Sequence, residues 1–383
     1  MEEPIAIGQF QSGQWVKQYE YRSFKPELVN RQWLVDDPEL AELVTEASRY
    51  VGELNAFSQL IPNVDFFIRM HVAKEATTSS RIEGTQTHIE DAFLRADDVD
   101  PEKRDDWQEV QNYIEAMNEA IDELERLPVS NRLIRQAHRL LMQGVRGETK
   151  QPGEFRNSQN WIGGASLRDA VFIPPHQSEV PELMGDVEKF LHNEDIHVAD
   201  LIRIAIAHYQ FETIHPFLDG NGRTGRLLIT LYLVSRGLLV KPTLYLSDFF
   251  ERNRQLYYDR LMRARTHNEL NQWLRFFMVG VAETAQNSIQ TFRDILTLKS
   301  QIEEQLPAFG KKYRNARLLA QELYQRPIVT VQDVAQILNV STPTANTFVR
   351  DFMRQGILQE LTGYKRNRIF VFDQYLSLFE SRS

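Results

Sequence analysis

Helical spacing dominates this chain. In "DWQEVQNYIEAMNEAIDELERL", Trp107, Val110, Ile114, Met117, Ile121 and Leu124 recur at intervals of three and four, which puts them on one helix face with acids on the other. Ser130 has the chemistry of an N-cap for a second helix, with Leu133, Ile134, Ala137, Leu140 and Leu141 inward and Gly144 at its end. "VPELMGDVEKFLHN" carries Pro181 in the first turn of a third. "DLIRIAIAHYQFETI" and "GRLLITLYLVSRGLL" are apolar on most faces, as buried central helices are. A long helical stretch follows from about Ser247 to Leu306, with breaks that the pattern does not place.

Two stretches depart from this period. "NWIGGASLRDAVFIPP", Asn160 to Pro175, reads as two short strands around a polar turn, stopped by two prolines. Near the C-terminus, "TVQDVAQILNVSTPTANTFVRDFMRQGILQELTGYKRNRIFVF" reads as helix, turn, helix and two strands. That is the order of a winged helix-turn-helix, with the turn at Asn339 to Ser341 and the second helix at Thr342 to Gln355. "LPAFGKKYRN" is the expected linker before it.

A chain of 383 residues exceeds one small core and predicts two or three domains. It contains no cysteine, which excludes disulfides, thiolate chemistry and cysteine–zinc sites and suits a reducing, cytoplasmic setting. The acidic "MEEPIAIGQF" lacks an apolar signal core, and the longest apolar run, Leu227–Val234, is interrupted by Thr230 and far too short to span a membrane. A net charge of −9 argues against a surface that binds nucleic acid as a whole, though not against a local basic patch.

Chemistry concentrates in "TIHPFLDGNGRTGR", Thr213 to Arg226. Gly220, Gly222 and Gly225 precede an apolar helix, whose first turn offers unpaired N–H groups and a positive dipole end. That combination is an anion cradle suited to phosphate. Arg223 and Arg226 add guanidinium forks that match phosphate oxygens. Asp219 is explained by Mg²⁺ bridging it to those oxygens, and His215 has the ordinary pKa of a general base near neutrality. Base, metal carboxylate, cradle and clamps together describe transfer of a phosphorus group from a Mg²⁺–nucleotide complex to a hydroxyl. Phe217 and Pro216 read as structural, one plugging the loop into the core and the other stiffening it.

"HPFLDGNGRTGR" resembles the signature of the Fic family of protein adenylyltransferases, His-Pro-Phe-x-Asp/Glu-Gly-Asn-Gly-Arg-x-x-Arg, with every fixed position filled. The resemblance implies a mainly α fold: a Fic-type helical core with a β-hairpin flap. It implies ATP and Mg²⁺ as cofactors, His215 as the base that deprotonates a Tyr, Thr or Ser hydroxyl of a target protein, and Asp219 as the metal ligand. It further implies that Gly220, Asn221 and Gly222 line the anion hole, that Thr224 and Gly225 belong to the same nucleotide-binding loop, and that Arg223 and Arg226 grip the outer phosphates. "NWIGGASLRDAVFIPP" resembles the flap that aligns a target segment by strand addition, with Ile162 as a clamp; read without the family, it is a hairpin covering the core. "LYLSDFFERNRQLYYDRL" resembles the helix that closes over the base, making Asn253 a polar contact and Tyr257 or Tyr258 a stacking one.

Upstream, Ser79-Ser80-Arg81-Ile82-Glu83-Gly84 resembles the family's inhibitory motif, Ser/Thr-x-x-x-Glu-Gly/Asn. Ser79 and Glu83 lie four apart on one helix face, and Gly84 suits a helix end. By default a glutamate is solvated surface. The motif implies instead that Glu83 pairs with Arg226 and occupies the fork meant for the γ-phosphate. The resemblance thus divides the chain into an N-terminal helical region, 1–105, with an inhibitory helix at about 72–86, a catalytic core, 106–295, and a winged helix domain, 306–383.

From Arg326 to Ser383 there are seven Lys/Arg (326, 350, 354, 365, 366, 368, 382) and five Asp/Glu (333, 351, 360, 373, 380), a local excess of two positive charges. Arg350 and Arg354 on the second helix and Lys365, Arg366 and Arg368 on the wing form a modest footprint for DNA. The expected function is AMP transfer, with self-modification and a homodimer implied by the family. The alternatives are a DNA-binding regulator using the core as a nucleotide sensor, and a Fic enzyme that transfers another group or removes AMP.

Overall fold

The computed structural model describes residues 3–61, 64–145, 149–361 and 368–379. The fold is mainly helical. The first 34 residues differ from the helical expectation. They form β1 (Ile5–Ala6), β2 (Gly13–Lys17), β3 (Arg22–Pro26) and β4 (Trp33–Leu34), arranged as a β1–β4 parallel pair and a β2–β3 antiparallel hairpin. Trp15 and Phe24 face each other across the hairpin with ring centroids 5.3 Å apart, a cross-strand aromatic pair of the kind that favours strands. Backbone bonds to distant segments complete them, as in Phe24 N–H to Ile173 C=O at 2.9 Å.

Then come α1 (Pro38–Leu60), α2 (Val64–Ile82), α3 (Arg104–Glu123), α4 (Asn131–Leu141), α5 (Val180–His192), α6 (Asp200–Ile214) and α7 (Asn221–Ser235). Ser130 caps α4 by accepting from Leu133 N–H at 3.3 Å, and Pro181 stands in the first turn of α5, both as expected. In α3 the buried face is shifted from the expected one. Val110, Tyr113, Ala116, Met117 and Ala120 are buried, while Trp107, Ile114 and Ile121 sit at its edge, because α3 packs on both α2 and α4. The long helical stretch breaks at Asn253 and at Asn268, which takes a left-handed conformation, giving α8 (Ser247–Arg252), α9 (Arg254–His267) and α10 (Leu270–Gln305).

The expected linker is itself ordered as a 3-10 segment, Leu306–Lys312, leading into α11 (Tyr313–Leu323). β5 (Ile328–Thr330), α12 (Val331–Leu338), α13 (Thr342–Arg354), β6 (Gln359–Glu360), β7 (Ile369–Val371) and α14 (Asp373–Leu376) follow, with strand order β5-β7-β6. Lys365, Arg366 and Arg382 lie outside the described residues. Arg368 pairs with Glu360, and Arg354 stands 3.6 Å from Asp351, which lowers the positive charge this face offers a phosphate backbone.

One relation positions the site. α7 packs against α2, α3, α4 and α6. α2 is buried along most of its length, and Glu75 pins it on two sides: Ser247 Oγ donates to Glu75 Oε1 at 2.5 Å and Tyr113 Oη donates to it at 3.1 Å. No helix among the described residues is long and apolar enough to cross a membrane.

Candidate active site

The loop joining α6 to α7 begins at His215, which caps α6 with φ 50° and ψ 61°. A non-glycine residue holds this left-handed conformation at a cost of order 1 kcal/mol or more and needs outside support. The support comes from the segment before the flap. Arg156 Nε donates to His215 C=O at 2.9 Å, Arg156 Nη2 to Ile214 C=O at 3.2 Å, and Asn160 Nδ2 to His215 C=O at 3.1 Å and Phe217 C=O at 2.9 Å. Burial, with Arg265 and Arg156 nearby, pushes the His215 imidazole down to about 3, so the ring is neutral at physiological pH. Its Nδ1 is buried, and the Glu212 backbone carbonyl beside the ring partly offsets the effect of burial.

Phe217 is fully buried and stacks on His138, with ring centroids 3.7 Å apart and planes 4° from parallel. His138 Nδ1 accepts from Gly153 N–H at 2.8 Å, so Nε2 carries the proton and donates to Asp219 C=O at 2.9 Å. Burial holds this imidazole at about 4. Gly220 follows with φ 73°, and a Cβ there would stand 2.6 Å from Met142 Sδ, so glycine is required both by conformation and by room. Asn221 staples the loop: its Oδ1 accepts from Phe217 N–H at 2.8 Å and its Nδ2 donates to Phe217 C=O at 2.9 Å.

Asp219 is exposed, and its Oδ1 accepts from Gly220 N–H at 2.6 Å. Among the described residues there is no group of three or more metal-ligating side chains. A single exposed carboxylate beside a helix N-terminus fits Mg²⁺ in the form nucleotides carry it, where phosphate oxygens and water supply the remaining ligands.

The expected pair is formed. Arg226 Nη2 donates to Glu83 Oε1 at 2.8 Å, and the same guanidinium donates to Ser79 Oγ at 2.8 Å and Ser79 C=O at 2.9 Å. Glu83 stands just past the last residue of α2, and Gly84 turns the chain away with φ 108°. The carboxylate lies directly on the glycine turn: a Cβ on Gly222 would meet Glu83 Oε1 at 2.2 Å. Burial opposes the charge on Arg226, but Glu83 outweighs it and holds the guanidinium firmly protonated. Behind the pair, buried Glu212 lies against Gly225, and burial raises its carboxyl to about 7.

Other expected residues have side chains engaged within the fold, although Tyr257 and Tyr258 stay within electrostatic reach of Glu83 and Arg226. Arg223 forms a buried ion pair with Glu109 on α3 at 3.1 Å, so its fork is engaged away from the cradle. The Thr224 hydroxyl donates to Gly220 C=O within its own helix at 2.9 Å. Tyr257 is buried, with its hydroxyl 3.0 Å from His208 Nε2 and its ring 4.5 Å from Phe250; the adjacent Tyr258 is the exposed one. Asn253 sits between α8 and α9 with its Nδ2 donating to Phe249 C=O at 2.9 Å. The expected strand pair of the flap reduces to one bridge between Ile162 and Phe172, because Gly163 and Gly164 both turn left-handed immediately after it.

Sequence reading missed Arg156, Asn160, His138 and Glu109. Each acts across 55 or more residues of chain, and none carries a local pattern. The one available signal was the density of polar residues in "PGEFRNSQNW" beside the flap.

Known proteins resemble this chain over the same region. Residues 41–122 match the Fic/DOC family N-terminal model and residues 128–233 the Fic/DOC family model. The chain is 28% identical over 185 residues to "Protein adenylyltransferase Fic" of Drosophila erecta, covering 48% of this chain and 33% of that one. It is 29% identical over 161 residues to the protein of the same name from Aedes aegypti, covering 42% of this chain and 28% of that one. It thus spans about a third of the length of these curated relatives. In fold it is similar to a Fic family protein from Desulfovibrio desulfuricans G20, with a TM-score of 0.57 and 22% identity over 89% of this chain and 98% of that one. It is also similar to Fic-1 from C. elegans, with a TM-score of 0.51 and 24% identity over 68% of this chain and 75% of that one. The chain therefore carries a Fic/DOC family N-terminal region followed by a Fic/DOC family region, with the signature loop set between α6 and α7.

Proposed function

We propose that this protein is an adenylyltransferase that moves AMP from ATP to a Tyr, Thr or Ser hydroxyl of a target protein and is held slow by its own Glu83. The observation that carries the reading is the Glu83 carboxylate lying on Gly222 and in the fork of Arg226. An oxyanion already rests where the glycine turn and the start of α7 make a cradle, which is the place an outer phosphate of a nucleotide would take.

In the reaction, the target oxygen attacks the α-phosphorus of ATP. The new O–P bond forms as the bond between that phosphorus and the α–β bridging oxygen breaks, and pyrophosphate leaves. Neutral His215 accepts the hydroxyl proton at Nε2. Arg156 and Asn160 fix the His215 backbone, and so the direction of the ring. Asp219 would hold Mg²⁺, which when bound neutralises phosphate charge. The backbone of Ile162 is itself bridged to Phe172, so strand addition by the target segment would use the residues flanking it.

Because Glu75 pins α2 to its neighbours, relief of inhibition involves the Glu83 side chain and the turn at Gly84 rather than release of the whole helix. The test is incubation of Glu83→Gly with ATP and Mg²⁺, followed by mass spectrometry of the protein. A gain of one AMP per modified residue, absent from Glu83→Gly/His215→Ala, is expected; no gain over the unsubstituted protein defeats the reading.

A further inference from the structure

The segment from Tyr313 onward docks on α2, the helix that Glu83 immediately follows. The Phe67 ring stands 5.7 Å from Tyr324, and His71 stands 5.0 Å from Phe379. Beside these contacts lies a cavity of about 190 Å³, walled by α2, the 92–98 segment, α3, β5 and the start of α12. Three arginines line it from three parts of the chain: Arg69 on α2, Arg95, and Arg326 just before β5.

Their charges are not balanced. Asp333 is the buried acid of the cavity, and its donors are already assigned. Its Oδ1 accepts from Arg95 and, at 3.2 Å, from Arg326; its Oδ2 accepts from Thr330 N–H at 2.8 Å and Thr330 Oγ1 at 2.7 Å. Arg69 makes no ion pair among the described residues, and exposed Asp98, the other acid on the wall, pairs with none of the three. All three arginines keep an exposed side toward solvent, and the part of Arg69 turned into the wall is desolvated beside Arg326, which lowers its guanidinium from the ordinary value.

We propose that this cavity is a second anion site, separate from the α6–α7 loop, that takes one phosphate or a short dicarboxylate between Arg69 and Arg326. Size decides the class. Pockets for drug-sized ligands start at roughly 300 Å³. A nucleotide therefore exceeds 190 Å³, whereas a single phosphate or a four-carbon diacid fits. Guanidinium forks match both oxyanions in geometry. A bound anion would bridge α2 to the C-terminal segment, so it ties that segment to the helix carrying Ser79. The proposal does not rest on AMP transfer.

The test is calorimetric titration of the full chain with inorganic phosphate in one arm and succinate in the other, at constant ionic strength. One site per chain is expected for at least one of the two. Arg69→Gln and Arg326→Gln should each weaken binding by about tenfold or more, the effect of losing charge-assisted bonds. Arg69→Lys, which keeps the charge and loses the fork, should fall in between. Gly222→Ala, which intrudes on the other cradle, should leave the isotherm unchanged. Absence of saturable heat with both anions overturns the proposal. So does binding that Gly222→Ala abolishes and Arg69→Gln does not affect.

Discussion

The Arg226 guanidinium is buried, its side chain 1% exposed, while its partner Glu83, 2.8 Å away, keeps 36% of its side chain in solvent. Arg223, three residues earlier on the same helix, and its partner Glu109 on α3 are both enclosed, at 5% and 8%. These two ion pairs differ in what their loss would do. Removing one partner of an enclosed pair strands a buried charge and costs about 3–5 kcal/mol. Removing Glu83 also leaves a buried cation, but this pair is open to water on its carboxylate side, which moderates the cost. Arg226 would keep Ser79 Oγ and Ser79 C=O in any case. Glu109→Ala should therefore lower unfolding stability several-fold more than Glu83→Gly, as read from urea melts of the two variants side by side. Equal losses would mean that the Glu83–Arg226 pair is structural.

Gly222→Ala separates the cradle from the helix. The new Cβ collides first with Glu83 Oε1, the far end of a flexible side chain, and next approaches Arg226 Nη1 at 3.0 Å. Glu83 can swing out at little cost, and alanine favours a helix over glycine by about 1 kcal/mol. Stability should stay near that of the unsubstituted protein. An outer phosphate has no such freedom, so ATP affinity should fall by about tenfold or more, as a lost charge-assisted contact predicts. Retained ATP affinity would remove Gly222 from the binding site.

Arg156 reaches four carbonyls: His215, Ile214, Pro175 and Ser158. An ammonium has three donors and no planar fork, so lysine cannot reproduce the set. Arg156→Lys in the Glu83→Gly background should reduce kcat by about 10–100-fold, the scale expected when a catalytic group is misplaced by about an ångström. KM for ATP should hold, because Arg156 donates to the His215 loop and the flap rather than to the cradle. A rise in KM with kcat intact would place Arg156 on the nucleotide instead.

The sequence made the α6–α7 loop legible because its chemistry is contiguous: His215, Asp219, three glycines and Arg226 stand within twelve residues. Ser79 and Glu83 were legible because a helix places residues four apart on one face. The rest depends on long-range contact. Nothing near Arg223 announces Glu109, since the two meet across 114 residues. Tyr257 and Tyr258 are adjacent, and only the packing of α9 on the His208 cluster decides that the first is buried and the second exposed. The N-terminal strands escaped notice because two of them are only two residues long and are completed by partners outside their own segments.

Acid sensitivity follows from four histidines enclosed in the neutral form. Burial lowers His71, His208 and His215 to about 3 and His138 to about 4. Unfolded, each would titrate near 6.5. Below about pH 6.5 the unfolded chain therefore binds protons that the folded chain refuses, and stability falls as pH falls. Each histidine contributes at most about 1.4 kcal/mol per pH unit in that window. Glu212 acts the other way. Its carboxyl, raised to about 7 by burial, takes up a proton in the folded state first, so it adds stability as pH drops from about 7 toward the ordinary carboxylate range. Four refused protons outnumber the uptake by Glu212, with Glu75 and Asp186 also raised by burial, and leave a net decline in stability between about pH 6.5 and 5. Urea melts at pH 7, 6 and 5 should show that decline. His138→Gln should flatten it by removing one refused proton, and Glu212→Gln should steepen it by removing the opposing uptake. Parallel pH profiles for all three proteins would show that these buried groups titrate alike in the folded and unfolded chains.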